Sequence, residues 1–175
     1  MISQSYLRVM SRYNRWQNQA LFKAAGYLSD DERTRDRGAF WGSVHGTLSH
    51  IYWADRIWLS RFDITEPPSV SLADSARYVQ DFSQLMTERD ELDQKVIHWS
   101  DEWQVGPIKG ELEWFSGSIQ RNAKAPLSVV LVHFFNHQTH HRGQAHALIT
   151  AAGGATEDTD LFLMPKEHWP PQEGR

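Results

Sequence analysis

The chain has 175 residues, a formal net charge of −4 and 40% hydrophobic residues, enough to bury a substantial core in one domain spanning residues 1–175 without covalent staples. Cysteine is absent, which excludes disulfides, thiolate metal sites and a cysteine nucleophile. An isoelectric point near 6.1 and a mean hydropathy of −0.58 provide neither a basic field for nucleic acid nor a membrane span, although Arg33, Arg35 and Arg37 cluster locally.

The N-terminal stretch MISQSYLRVMSRYNRW is interrupted by arginines and lacks the apolar core of a signal peptide, so a cytoplasmic location is the expectation. Tyr6, Leu7, Met10, Tyr13, Trp16, Ala20, Leu21, Ala24 and Leu28 recur at three- and four-residue steps, which predicts a first long helix. Ser29, followed by Asp30, Asp31 and Glu32, supplies a cap and an acidic first turn for a short helical piece ended by Gly38. Phe40, Val44, Leu48, Ile51, Trp58 and Phe62 continue the helical period as a second long helix. Residues 63–70, with Pro67 and Pro68, read as a long crossover loop.

Ser71 to Ser100 reads as a third helix, starting near Ser71 or Asp74. Between Trp103 and Ile119, Gly106, Pro107 and Gly110 interrupt short alternating runs such as Leu112, Trp114 and Ser116, which predicts a small hairpin or irregular excursion. Pro126 suits the first turn of a fourth helix through Leu127, Leu131, Phe134, Ala145 and Leu148, stopped by Gly153 and Gly154. The tail from Ala155 to Arg175 reads as a loosely packed extension. The expected fold is all-α: a four-helix bundle with a long crossover between helices 2 and 3 and the excursion before helix 4.

Chemistry concentrates in the fourth helix, where His133, His137, His140 and His141 lie within nine residues. A four-residue spacing puts His137 and His141 on adjacent turns of one face. At about 100° per residue, His141 falls about 40° inward of His137, toward the apolar stripe, while His133 and His140 fall on its outer side. His137 and His141 therefore border the core, and His133 and His140 occupy the rim. One helix covers only part of a coordination sphere, so a further ligand must come from elsewhere. The second helix offers His45 and His50, between which angular position does not choose.

Thr47-Leu48-Ser49-His50-Ile51-Tyr52-Trp53-Ala54-Asp55-Arg56-Ile57-Trp58-Leu59-Ser60-Arg61, with Asn136-His137-Gln138-Thr139-His140-His141-Arg142-Gly143-Gln144 far downstream, resembles the DinB family of damage-inducible bacterial proteins, which is distinct from the DNA polymerase of similar name. The Tyr13-Asn14-Arg15-Trp16 opening and the Gly38-Ala39-Phe40-Trp41 approach to the second helix are also similar. The resemblance implies that His50, His137 and His141 hold a divalent metal. It further implies dimers and, by analogy with members of that superfamily, transfer or isomerisation with a low-molecular-weight thiol such as bacillithiol, mycothiol or glutathione.

Three neutral imidazoles leave a divalent ion its full charge and an open position, which lowers the pKa of a bound water or thiol. Histidine ligation suits zinc, nickel, iron or copper. Asp55, Asn136 and Gln144 are the expected orienting partners of the imidazoles, with Arg56 or Arg142 as alternative partners for Asp55. Gly143, inside a helix, suggests close approach of another helix or of the site. His45, His98, His146 and His168 read as non-ligands, and Trp16, Trp53, Trp58 and Trp99 as core. The functions consistent with this pattern are a metal-dependent thiol transferase or isomerase acting on a small molecule, a metal-dependent hydrolase with Asp55 as base, or a non-catalytic binding module.

Overall fold

The computed structural model describes residues 2–103 and 108–171. Four long helices dominate it: α1 (Gln4–Gly26), α3 (Val44–Arg61), α4 (Phe82–Glu102) and α5 (Leu127–Ala151), with a short α2 (Asp30–Thr34) and one antiparallel hairpin of β1 (Glu111–Ser116) and β2 (Arg121–Pro126). Helix α1 packs on α4 and α5, and α3 packs on α5. Leu7, Leu21, Leu48, Ile51, Leu85, Leu131 and Phe134 meet between them in one continuous core. Among the described residues, no helix is long and apolar enough to cross a membrane.

Helix starts follow local capping chemistry. The Ser3, Ser29, Ser43 and Asp81 side chains accept from the backbone N–H groups of Tyr6, Glu32, Gly46 and Gln84, opening α1, α2, α3 and α4, which satisfies donors that have no partner within the helix. Helix α3 consequently begins at Val44, not at Phe40, which is 82% exposed. Helix α2 ends at Thr34, short of Gly38, because the next segment turns: the Asp36 carboxylate accepts from Gly38 N–H, and Arg37 N–H donates to the Gly42 carbonyl.

The expected third helix is not continuous from Ser71. Leu72–Arg77 form a 3-10 turn, and α4 starts only at Phe82. The backbone between them bonds sideways to α3: Ser49 Oγ donates to the Ser75 carbonyl, Val79 N–H donates to Ser49 Oγ, and His45 Nε2 donates to the Val79 carbonyl at 2.8 Å. A segment whose polar groups are bonded to a neighbour does not need helical bonds of its own.

The excursion before α5 is a hairpin, with Leu112 opposite Ala125, Trp114 opposite Ala123 and Ser116 opposite Arg121. Leu112, Trp114 and Ser116 take its less exposed face, as their alternation predicts. Its second strand, Arg121–Pro126, lies beyond the expected excursion and takes in Pro126, which is expected in the first turn of the helix but precedes its first residue, Leu127. The interruption expected at Gly106 and Pro107 lies outside the described residues. The tail does not hang free: Tyr13 Oη and Gln17 Nε2 on α1 donate to the Thr159 and Asp158 carbonyls, and Met164 is buried.

A polar layer crosses the interior. Arg89 on α4 pairs with Asp55 on α3 at 2.6 Å and with Asp93 at 2.7 Å, and Asn18 on α1 donates to Asp93. Arg142 on α5 donates to Asn14 and lies over the Tyr13 ring. Two buried carboxylates and two buried guanidinium groups thus balance in charge. The surface arginines of the 33–37 cluster pair with Asp30 and Glu32.

Candidate metal centre

Helices α3 and α5 bring His50, His137 and His141 together. One ligand nitrogen from each lies within 4.8 Å of the others. The His137 and His141 Nε2 atoms are 3.1 Å apart, near the roughly 3.3 Å expected between imidazole nitrogens about 2.0–2.1 Å from one tetrahedral ion. His50 is 2% exposed, and its Nε2 is buried with no hydrogen-bond partner among the described residues. An orphaned buried nitrogen is costly unless something meets it, so this donor set fits a divalent cation.

Each ring is held. His50 Nδ1 lies 2.9 Å from Ser75 Oγ, and the hydroxyl can take the Nδ1 proton, leaving the Nε2 lone pair toward the cluster. The Trp41 indole stacks on the other side of His50, with centroids 3.6 Å apart and planes 15° off parallel. That stack depends on Gly46: a Cβ there would sit 2.2 Å from the Trp41 carbonyl oxygen. His141 Nδ1 lies 2.7 Å from Gln144 Oε1. An amide oxygen only accepts, so the proton sits on Nδ1 and Nε2 is free to ligate.

Burial, reinforced by the neighbouring imidazoles, pushes His50 and His137 down to about 3. Burial also lowers His141, against the opposing pull of Gln144. All three are therefore neutral at pH 7, the form in which imidazole binds metal.

Of the orienting residues expected from sequence, Gln144 touches a ligand imidazole. Asn136 is exposed on α5 and has no hydrogen bond to the trio among the described residues. Asp55 is 0% exposed and pairs with Arg89 rather than with Arg56 or Arg142. Ser75 and Trp41 escaped notice because the turn returning Ser75 to α3, and the bend placing Trp41 over it, carry no periodic signal. Gly143 has open space where a Cβ would stand, so close approach does not explain it. His45 is committed to the Val79 carbonyl, His98 to Glu102 and His146 to Thr156.

A cleft of about 470 Å³ opens beside the trio, with His50 and His137 at one end and Trp53, Trp58, Trp114 and Arg61 along its walls. Trp16 and Trp53 are buried, and Trp58 and Trp99 pack against the core, as expected; Trp53 and Trp58 also line this cleft. His133, on the rim, lies against Trp58 and near His137, at centroid distances of 4.9 and 5.6 Å.

The DinB family model matches residues 1–173. The chain belongs to the DinB family. Members of this family bind metal, and the histidine trio is a possible site for an ion in this DinB chain. The Bacillus subtilis (strain 168) protein named Protein DinB is 26% identical over 155 residues, covering 86% of this chain and 88% of its own. The crystal structure of a DinB-like protein from Bacillus cereus ATCC 10987 superposes with a TM-score of 0.61 at 18% identity, covering 82% of this chain and 90% of that one. At that identity the second likeness concerns the fold.

Proposed function

We propose that the protein is a metal-dependent enzyme. In this reading His50, His137 and His141 hold one divalent ion through their Nε2 atoms, and the reaction is transfer to, or isomerisation of, a small molecule with a low-molecular-weight thiol as co-substrate. The four long helices are read as a four-helix bundle that carries the site between α3 and α5. The observation that carries this reading is the convergence of three neutral imidazoles, one with a buried unpartnered Nε2, at the end of an open apolar cleft.

When bound, the ion would supply positive charge that lowers the pKa of a thiol in its open position. The chain's own groups do the rest. Ser75 and Gln144 fix the ring orientations of His50 and His141. Trp41 closes one side of His50 against water. His133 stands at the rim next to His137, with its basicity lowered by burial and by Arg61. It is neutral at pH 7 and can accept a proton from the arriving thiol. With no cysteine of its own, the chain offers no thiol to compete for the ion.

Hydrolysis with Asp55 as base finds less support, since that carboxylate is buried against Arg89 and does not line the cleft.

Elemental analysis of the purified protein and of His137→Ala tests the metal. About one ion per chain is expected in the first and little in the second, and equally little in both would overturn the reading. Turnover of an electrophile that requires both ion and added thiol supports the transferase. Turnover indifferent to thiol points to hydrolysis, and no turnover with the ion in place points to a binding module.

A further inference from the structure

Arg61, on the last turn of α3, is a cation of the cleft that no carboxylate among the described residues neutralises. Its Cζ lies 4.3 Å from the Trp58 ring centroid and 5.5 Å from that of Trp114. Among the described residues it has no carboxylate partner and no hydrogen bond, and no aspartate or glutamate lines the cleft. This sets it apart from the neighbouring arginines. Arg56 donates to the Glu66 carbonyl, and Arg89 is held by two carboxylates. Burial lowers the Arg61 guanidinium to about 10, with no acidic group opposing it. A partly desolvated cation packed over the Trp58 ring, beside Trp114 and bordering an apolar cavity, is the arrangement that favours an incoming anion.

Helix geometry sets the ruler. His50, Trp53, Ala54, Ile57, Trp58 and Arg61 follow one stripe of α3 along the cleft floor, and eleven residues rise about 16 Å. Helical side chains lean toward the N-terminus, and the long Arg61 side chain reaches back over Trp58, which leaves on the order of 10 Å between its guanidinium and the histidines. Trp58 and Trp114 meet edge to face along that interval, with ring centroids 5.5 Å apart, and Ser116 and Ser118 of the hairpin line the same cleft.

We propose that Arg61 is the anion-recognition residue of this cleft, and that the substrate meeting the histidine cluster is a flat apolar molecule bearing a carboxylate or similar anionic group on the order of 10 Å from its reacting atom. The indoles hold the apolar body, and the guanidinium selects the charged end. The inference rests on the metal-enzyme reading for the term "substrate", but anion recognition itself stands without the ion.

The test is calorimetric titration of the full chain, metal-free and zinc-loaded, with 2-naphthoate and with its neutral isostere 2-naphthamide. Wild type binds naphthoate about tenfold more tightly than naphthamide, with or without zinc. Arg61→Gln loses that preference while naphthamide binds within about twofold of wild type, and Arg61→Lys retains part of it. Equal binding of both compounds to wild type overturns the proposal, as does a preference that survives Arg61→Gln. A preference seen only with zinc places the carboxylate on the ion and likewise overturns it. If Arg61→Gln weakens glutathione but not naphthoate, the arginine serves the thiol's own carboxylates and the assignment to the apolar substrate fails. Should the chain bind no metal and still show the Arg61-dependent preference, the metal reading falls and this one stands.

Discussion

The hydroxyl of Ser75 stands 2.9 Å from His50 Nδ1, reaching across from the 3-10 turn to α3. Both groups are buried, so the hydrogen bond works where water cannot replace it. Ser75→Ala leaves the ring without its orienting partner and the Nδ1 proton unsatisfied. Zinc affinity measured by competition with a chromophoric chelator should fall by about 10-fold to 100-fold, as for other groups that orient a ligand imidazole. An unchanged affinity would show that stacking on Trp41 alone aligns His50.

Metal binding should be unusually tolerant of acid. An ordinary histidine, near 6.5, is protonated below that pH and must release its proton before ligating. His50 and His137 are pushed down to about 3 and His141 below its ordinary value, so in the folded protein protons compete with the ion less than they would at ordinary histidines. Zinc affinity should therefore fall less between pH 7.5 and about 5.5 than at a site of three ordinary histidines, with less proton release. Calorimetry in buffers of different ionisation enthalpy reads both quantities. A steep loss of affinity starting at pH 6.5 would contradict the burial of the cluster.

The trio His50, His137 and His141 was legible for unequal reasons. His137 and His141 follow from one helical repeat beside an apolar stripe, a local property of α5. His50 could not be separated from His45 by angle, because both lie well off the centre of the apolar stripe of α3. What separates them is the Val79 carbonyl, which His45 reaches only because the chain breaks its helix after Arg77. That break was invisible, since Leu72, Tyr78 and Val79 read as apolar positions of one helix while the backbone of Ser75 and Val79 bonds to Ser49 and His45 on α3. The second hairpin strand, Arg-Asn-Ala-Lys-Ala-Pro, was missed for a related reason: it is polar and short, and pairing with β1 rather than its own composition makes it a strand. Trp53 and Trp58 have the spacing of core residues, and only the position of the hairpin turns them into cleft walls.

Two glycines of α3 and α5 should respond oppositely to alanine. At Gly143 a new Cβ meets nothing within 4 Å, so Gly143→Ala should stabilise the protein by up to about 1 kcal/mol through helix propensity and lower unfolded-state entropy. At Gly46 the Cβ would stand 2.2 Å from the Trp41 carbonyl oxygen. Displacing that backbone costs about 1–3 kcal/mol and moves the indole off His50, so Gly46→Ala should also weaken zinc binding. Urea denaturation of the metal-free variants, paired with zinc titration, reads both effects. A destabilising Gly143→Ala would mean that the open space beside it is used in the folded state.

Arg89 should prove the most costly single truncation in the interior. Its guanidinium is buried between Asp55 and Asp93, at 2.6 and 2.7 Å, and burial raises both carboxyl groups above their ordinary values even with the arginine in place. Arg89→Met keeps most of the apolar volume but leaves two buried carboxylates without their cation, and loss of one partner of a buried pair costs about 3–5 kcal/mol. Much of that loss should be recovered by lowering the pH, because protonating Asp55 and Asp93 removes the uncompensated charge. In the variant their folded-state values rise further above the unfolded 3.8, so its stability increases as pH falls toward 5. The double change Arg89→Met with Asp55→Asn should recover part of the loss at pH 7, since one carboxylate is then gone. Urea denaturation at pH 7.5 and 5.5 separates these outcomes, and a pH-independent deficit would mean that lost packing, not stranded charge, sets the cost.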